Sequence, residues 1–159
     1  MSKDIKIGED VTIGQFSIIE EDVTIGNNVV IGHHVIIKKG TTIGNNCIIA
    51  DGCRTTGLCI IGNNVNIRTN TVISSYVNIE DNVYIGAGVM TSHTKHIKNK
   101  GQQYNLWTVI HSNTTIGSSC NISAGINICS DVIVGYMSNI IKDIDIPGTY
   151  VGNPVRKIK

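Results

Sequence analysis

Isoleucine recurs at every sixth residue along most of the chain. Fourteen positions spaced by six run from Ile7 to Ile85, and thirteen of them are Ile, with Thr55 as the exception. The pattern resumes at Ile110 and continues in steps of six to Ile140, with Val134 as the departure from Ile. A fixed period of this kind indicates a repeat architecture rather than an ordinary domain.

A second regular position lies four residues after each of these isoleucines. It holds smaller residues such as Val23, Cys47 and Val83. Residues two apart on a strand share a face, so this position and the next Ile point inward together. Gly and Asn between them, as in 26–28, favour turn conformations. Each hexad therefore predicts a short strand and a corner, and three hexads predict one triangular coil.

The repeat predicts an all-β fold, a parallel β-helix whose coils stack at about 4.8 Å. Such a fold is stable only through the stacking of its coils. An up-and-down β-barrel also alternates apolar and polar residues, but its strands vary in length and follow no six-residue period. We predict one domain over 1–159, with coils at 7–90 and 110–145 and a tail at 146–159.

The repeat is interrupted once. The step from Ile85 to Ile110 is not a multiple of six, and no regular hexads lie between the two ends of that step. The sequence therefore predicts one extruded loop at about 91–109. Functional residues are commonly found on loops that a rigid scaffold presents.

Composition narrows the function classes. Aromatic residues are 4% and charged residues 16%, with 17 Gly, which agrees with a narrow core of medium-sized side chains. The net charge of +1 offers no basic face for nucleic acid, and no apolar run is long enough to span a bilayer. The charged N-terminus does not fit a signal peptide. We expect a cytoplasmic protein with reduced cysteines.

The cysteines follow the repeat. Cys47, Cys53 and Cys59 occupy the inward fifth position of consecutive hexads, and Cys120 repeats that position. Consecutive hexads lie on different faces of the triangle, so these thiols are poorly placed to share a metal or a disulfide. We expect them, together with Cys129, to be small core residues.

Two segments carry a family resemblance. Residues 66–86, NIRTNTVISSYVNIEDNVYIG, are similar to the central coils of nucleotide-sugar N-acetyltransferases. The run IIKDIDIP at 140–147, followed by GNP at 152–154, is similar to a terminal signature of the same family. With its repeat, the sequence resembles the hexapeptide-repeat acyltransferases. That resemblance implies a left-handed β-helix, a homotrimer with sites between subunits, and acetyl-CoA as the acyl donor. The handedness rests on the resemblance, because parallel crossovers are generally right-handed.

The resemblance also suggests a catalytic base. The segment GAGVMTSHTKHI covers 86–97. In the sugar O-acetyltransferase branch, a catalytic His follows the Gly of this motif by ten residues, which corresponds to His96. In the aminosugar branch a functional Asn three positions earlier corresponds to His93. Histidine suits a general base because its pKa lies near working pH. His96 is the predicted base and His93 the second candidate; the alternative is a solvated loop histidine.

The resemblance further implies that CoA lies along the last coil and the tail. The residues that would contact it are Ser123, Ala124, Lys142, Asn153, Pro154 and Arg156. Lys142 and Arg156 suit the phosphates of CoA, although a solvated basic tail is the alternative. Trp107, the single Trp, either packs on pantetheine or acceptor or anchors the loop.

No metal is expected. Histidines on a β-helix are also typical of γ-type carbonic anhydrases, whose zinc needs a well-spaced triad on adjacent coil faces. His93 and His96 share one irregular loop and have no third partner at that spacing. His33, His34 and His111 are expected at the surface.

The predicted activity is an acetyl-CoA-dependent transfer to a hydroxyl or amino group. The acceptor would be a sugar or a nucleotide-linked sugar, for surface polysaccharide biosynthesis. Two alternatives stay open: a non-sugar acceptor, such as an antibiotic or an amino acid, and a non-catalytic β-helix scaffold. A scaffold would need neither the His-containing loop nor the Gly-Asn-Pro tail.

Overall fold

The computed structural model describes residues 4–94 and 106–159, and within these ranges the chain forms strands and corners without a helix. The strands build three sheets. The first sheet contains β1 (Lys6–Ile7), β4 (Thr24–Ile25), β7 (Thr42–Ile43), β10 (Ile60–Ile61), β13 (Val77–Ile79), β16 (Thr108–Ile110) and β19 (Asn127–Ile128). The second contains β2 (Thr12–Ile13), β5 (Val30–Ile31), β8 (Ile48–Ile49), β11 (Asn66–Ile67), β14 (Tyr84–Ile85), β17 (Thr115–Ile116), β20 (Val132–Val134), β22 (Gly148–Val151) and β23 (Arg156–Lys157). The third contains β3 (Ile18–Ile19), β6 (Ile36–Ile37), β9 (Arg54–Thr55), β12 (Val72–Ile73), β15 (Met90–Thr91), β18 (Asn121–Ile122) and β21 (Asn139–Ile140).

Each strand pairs in parallel with the strand one coil later. Before the interruption the partners are three hexads apart, as in Ile7 with Ile25 and Ile43 with Ile61. Three strands complete one coil, and β1 to β21 make seven coils. The all-β parallel β-helix predicted from the six-residue period is confirmed.

The inward isoleucines form continuous columns inside the prism. Ile61, Ile79 and Ile110 stack in the first sheet and are at most 1% exposed. The fifth-position residues, such as Val65 and Val83, are buried with them. The first coil differs, because no described coil covers its outer side: Ile7 is 48% exposed and Ile13 40%.

The corners between the first and second sheets explain the recurring Asn. Asn28, Asn46 and Asn64 adopt left-handed backbone with φ of 55°, 56° and 56°, a region that Asn tolerates better than most residues. The preceding Asn of each corner ties the coils together. Asn45 Oδ1 accepts a hydrogen bond of 2.8 Å from the backbone N–H of Asn27, one coil earlier.

Glycine opens the early corners because neighbouring coils approach too closely for a side chain. A Cβ on Gly44 would lie 2.6 Å from the carbonyl oxygen of Gly62 and 2.7 Å from its carbonyl carbon. Both contacts are with backbone atoms, which cannot move without spreading the coils.

Replacing Gly44 by Ala is therefore expected to lower the free energy of unfolding by about 1–3 kcal/mol, the usual cost of overpacking. The measurement is urea unfolding followed by circular dichroism. Thr42→Ala is the control, since Thr42 is exposed on the preceding strand. Equal stabilities of the two variants would contradict the close-approach explanation.

The strand bounds define the interruption of the repeat. Strand β15 ends at Thr91 and β16 begins at Thr108, so the interruption covers 92–107, slightly inside the predicted 91–109. Thr91 pairs one coil later with Ile122, and Ile79 pairs with Ile110. These partners are further apart in the sequence than the partners of the earlier coils. The 92–107 segment thus lengthens one coil and leaves the register intact on both sides.

The predicted tail adds strands of its own. Strand β22 pairs in parallel with β20, and β23 turns back to pair antiparallel with β22. The backbone N–H of Val155 donates to the carbonyl of Asn139 at 3.1 Å. The tail therefore lies against the last coil, beside strand β21 of the third sheet.

The cysteines in the repeat are core thiols, as predicted. Cys47, Cys53, Cys59 and Cys120 are buried and free, and Cys129 is half-buried. Burial raises the pKa of the Cys59 thiol to about 11, which keeps it protonated and unreactive at neutral pH.

Candidate functional site

A groove of about 350 Å³ lies on the outer surface of the third sheet, where the 92–107 segment begins. We call it the site groove. It is lined by Arg54, Thr56, Val72, Ser74, Met90, Thr91, Ser92, His93, Asn121, Ile122 and Ser123.

The outward positions of four stacked strands form one wall of the site groove. Arg54, Val72, Met90 and Asn121 follow one another in register on β9, β12, β15 and β18. Successive coils are about 4.8 Å apart, so this wall changes from a cation through two apolar residues to an amide.

A row of hydroxyl residues lies beside that wall. Thr56, Ser74, Ser92 and Ser123 each follow the inward residue of one coil and line the groove. The Ser92 hydroxyl donates to the carbonyl of Thr94 at 3.0 Å and accepts from its N–H at 3.3 Å. This local turn starts the 92–107 segment and includes His93.

Threonine replaces isoleucine beneath the site groove. Thr91 is 2% exposed, and its hydroxyl oxygen accepts a 2.7 Å hydrogen bond from the backbone N–H of Ser74. The Ser74 hydroxyl in turn donates to the carbonyl of Thr91 at 2.6 Å. Thr55, the exception in the first run of the repeat, accepts in the same way from the N–H of Lys38. Both threonines therefore complete backbone hydrogen bonds at this corner.

Thr91→Val keeps the shape of the side chain and removes the acceptor for the Ser74 N–H. A buried donor left unpaired costs about 1–3 kcal/mol, so we expect the unfolding free energy to fall by that amount. Chemical denaturation measures the change. Thr24→Val, at an exposed outward position, is the control and should change stability less; equal losses would argue against the hydrogen-bond explanation.

The structure brings His93 and Ser123 together. His93 is exposed and lines the site groove two residues after β15, and Ser123 lines it one coil further on. His96, the predicted base, lies outside the described residues. Ala124 is 2% exposed and lines neither this groove nor another described cavity.

A second cavity lies one coil beyond the site groove on the same side of the prism. It measures about 270 Å³ and is lined by Ile141, Lys142, Pro154, Val155 and Arg156. We call it the tail cavity.

The tail cavity gathers three of the predicted CoA residues: Lys142, Pro154 and Arg156. Asn153 precedes Pro154 through a cis peptide bond, and its side-chain oxygen accepts from Asn139 Nδ2 at 3.1 Å. The N–H of Ser123 donates to the carbonyl of Ile140 at 2.9 Å, so adjacent coils link the two cavities.

His111 lies apart from both cavities, at a corner between the first and second sheets. Its Nδ1 is 2.9 Å from Glu80 Oε1, and its Nε2 is 2.9 Å from Asn127 Oδ1. Glu80 Oε2 also accepts from the N–H and the hydroxyl of Ser112. His111 is therefore a half-buried link between coils rather than a freely solvated side chain.

Trp107 has a contact that fits the anchoring role. Its ring packs edge-on against Tyr76, with centroids 5.6 Å apart. Leu106 lies beside Gly125, where an added Cβ would be 3.2 Å from Leu106 Cβ. These contacts hold the end of the 92–107 segment against the third-to-first corner.

Sequence reasoning missed the lining residues Arg54, Met90 and Asn121. They share an outward strand position on the sheet from which the interruption leaves, and that position was the available signal. Over residues 4–94 and 106–159, no group of three or more His, Cys, Asp or Glu side chains could hold a metal ion. The same ranges contain no helix long and apolar enough to cross a membrane.

Comparison with known families identifies the repeat. Residues 4–39 match the model described as bacterial transferase hexapeptide (six repeats), and residues 59–91 match the hexapeptide repeat of succinyl-transferase. A comparison with curated protein sequences found no match.

Several solved structures share the fold. The polySia-specific acetyltransferase NeuO is 18% identical with a TM-score of 0.64, over 99% of this chain and 82% of that one. PerB from Caulobacter crescentus, in complex with CoA and GDP-perosamine, is 15% identical with a TM-score of 0.59, over 97% of this chain. This chain spans 58% of the length of PerB. A point mutant of AntD, an N-acyltransferase from Bacillus cereus in complex with dTDP and coenzyme A, is 20% identical with a TM-score of 0.55. The match covers 97% of this chain and 82% of that one.

The fold and the repeat define a left-handed parallel β-helix protein built from hexapeptides. Two stretches of the chain, residues 4–39 and 59–91, are similar to the hexapeptide repeats of bacterial transferases.

Proposed function

We propose that the protein is an acetyl-CoA-dependent acetyltransferase that acts on a hydroxyl or amino group of a sugar or nucleotide-linked sugar, for surface polysaccharide biosynthesis. The observation that carries the proposal is the alignment of two cavities on one side of the prism. The site groove contains His93 and the start of the segment with His96, and the tail cavity contains Lys142 and Arg156. A long donor with phosphates at one end and a thioester at the other suits that arrangement.

The donor would lie with its phosphates at the tail cavity. Lys142 and Arg156 are exposed cations there, and guanidinium and ammonium groups bind phosphate through charge-assisted hydrogen bonds. The apolar Ile141 and Val155 offer contacts to the pantetheine arm. Ser123, one coil away, would then lie near the thioester end.

The transfer itself needs a base and an oxyanion site. His96 takes the proton from the acceptor hydroxyl or amine as its oxygen or nitrogen bonds to the thioester carbonyl carbon. Backbone N–H groups at the coil edge stabilise the resulting oxyanion. The carbon–sulfur bond then breaks, and the CoA thiolate leaves and takes up a proton. No covalent enzyme intermediate is formed.

We also propose a homotrimer with the site groove shared between subunits. Light scattering after size exclusion should then give about three times the chain mass of 17.1 kDa. A monomer at working concentration would contradict this part of the proposal.

The enzymatic proposal is tested in two measurements. CoA at high concentration should raise the melting temperature of the wild type, and a Lys142→Ala, Arg156→Ala double variant should lose most of that increase. Lys6→Ala removes an exposed cation at the opposite end and is the control. Thiol release from acetyl-CoA is then screened against free sugars, nucleotide-linked amino sugars, amino acids and an aminoglycoside. An absent CoA effect favours the scaffold, and turnover confined to the last two acceptor classes overturns the sugar assignment.

A further inference from the structure

Arg54 is the cation among the described residues that line the site groove, and no carboxylate lines it with them. Its side chain is exposed at the outward position of β9. The neighbours in register on the same sheet are Ile36 and Val72. The remaining lining residues offer hydroxyls, an amide, an imidazole and apolar surface.

Arg54 differs from the nearby lysines in its ion pairing. Lys38 and Lys39 form ion pairs with Glu20 and Glu21, at 2.5 Å and 2.8 Å. In the part of the chain that the structure describes, no ion pair involves Arg54. A planar guanidinium with five donors and no anionic partner is suited to bind a carboxylate or phosphate through two parallel hydrogen bonds.

Arg54 lies on the far side of the proposed reaction centre from the tail cavity. Two coil steps separate it from Met90 on β15, a distance of about 10 Å along the stacking axis. His93 follows on the same coil as Met90, and Lys142 and Arg156 lie beyond it in the other direction. An anion at Arg54 would therefore belong to the acceptor and not to the phosphates of the donor.

We propose that Arg54 binds an anionic group of the acceptor, so that the enzyme prefers acidic acceptors. The anion is the carboxylate of an acidic sugar or the phosphate of a nucleotide-linked sugar. This inference rests on the proposed function, which puts the acceptor in the site groove. Arg54 is a specificity residue, because the reacting atoms lie two coils away.

The test measures ligand binding by thermal shift with CoA saturating, so that the donor site is occupied. The probes are D-glucuronate, UDP-glucose and neutral D-glucose, and the proteins are the wild type, Arg54→Gln and Arg68→Gln. Arg68 is an exposed arginine at another corner and does not line the site groove. Circular dichroism shows whether each variant is folded.

At least one anionic probe should stabilise the wild type more than glucose does. Arg54→Gln should lower the affinity for that probe about tenfold or more, the usual effect of losing a charged hydrogen-bond partner. The affinities for glucose and CoA should stay unchanged. Arg68→Gln should behave as the wild type. A response to glucuronate identifies the carboxylate, and a response to UDP-glucose alone identifies the phosphate.

Three results would overturn the inference. The first is that neither anion binds better than glucose, and the second is that the preference for the anion survives in Arg54→Gln. The third is that Arg54→Gln weakens the binding of CoA itself, which would make Arg54 a donor contact. Failure of the proposed function is distinguishable, because CoA would then give no shift and acetyl-CoA no thiol release even where the anion effect at Arg54 persists.

Discussion

Replacing His96 by alanine is expected to lower kcat about 100- to 10,000-fold, the usual contribution of a positioned general acid or base. The affinity for CoA should stay unchanged, because the proposed donor contacts lie on the last coil and the tail. The measurement is thiol release from acetyl-CoA at saturating acceptor, with thermal shift reporting CoA binding. Circular dichroism checks that the variant is folded.

Two further histidine variants test whether His96, and not another histidine, is the base. His34→Ala is the control, because His34 is exposed at a corner of the second coil and stacks on Phe16, and its turnover should match the wild type. His93→Ala addresses the second candidate. Near-normal turnover of the His96 variant together with a large loss for His93→Ala would transfer the role of base to His93.

Ile79→Ala should destabilise the fold by about 2–5 kcal/mol, the range for removing a buried isoleucine side chain. Ile79 is fully buried, and its neighbours in the column are Ile61 and Ile110. The cavity would open where the coils on either side of the 92–107 segment meet. That loss is a large share of the roughly 5–15 kcal/mol typical of a domain. Urea unfolding gives the change through its midpoint, provided that the slope is unchanged.

Ile60→Ala is the matched control for the core variant. Ile60 is adjacent to Ile61 but points outward and is 45% exposed. The same atoms are removed from a surface position, so the loss should be well below that of Ile79→Ala. Similar losses for the two variants would contradict the assignment of alternate residues to the core and the surface.

The fold could be predicted from the sequence because one spacing determines it. An inward residue at every sixth position gives strand, corner and coil at once, and the structure stacks Ile43, Ile61 and Ile79 as that period requires. The exceptions were harder. Thr91 occupies an inward position, but a polar residue does not fit the isoleucine pattern, so the sequence did not indicate that it is buried. The hydrogen bond from the Ser74 N–H explains why a threonine is accommodated there.

The site was only partly predictable, for a physical reason. The outward strand position recurs with the coils, but the residues that occupy it share no chemistry, so only their position links Arg54, Met90 and Asn121 in the sequence. Their proximity comes from the stacking of coils whose strands are distant from one another along the chain. The family resemblance drew attention to Lys142 and Arg156, which the tail cavity brings together, whereas composition alone could not distinguish them from other exposed cations.

The interruption returns the chain to the same register that it left. Thr91 pairs with Ile122 on the next coil, as it would if the extra residues were not there, and the buried columns continue on both sides of the interruption. The length of the inserted stretch is therefore uncoupled from the geometry of the scaffold. Under the proposed function, a stretch of another length would change which acceptor the site groove binds and leave the buried columns as they are, so acceptor choice and folding can change independently.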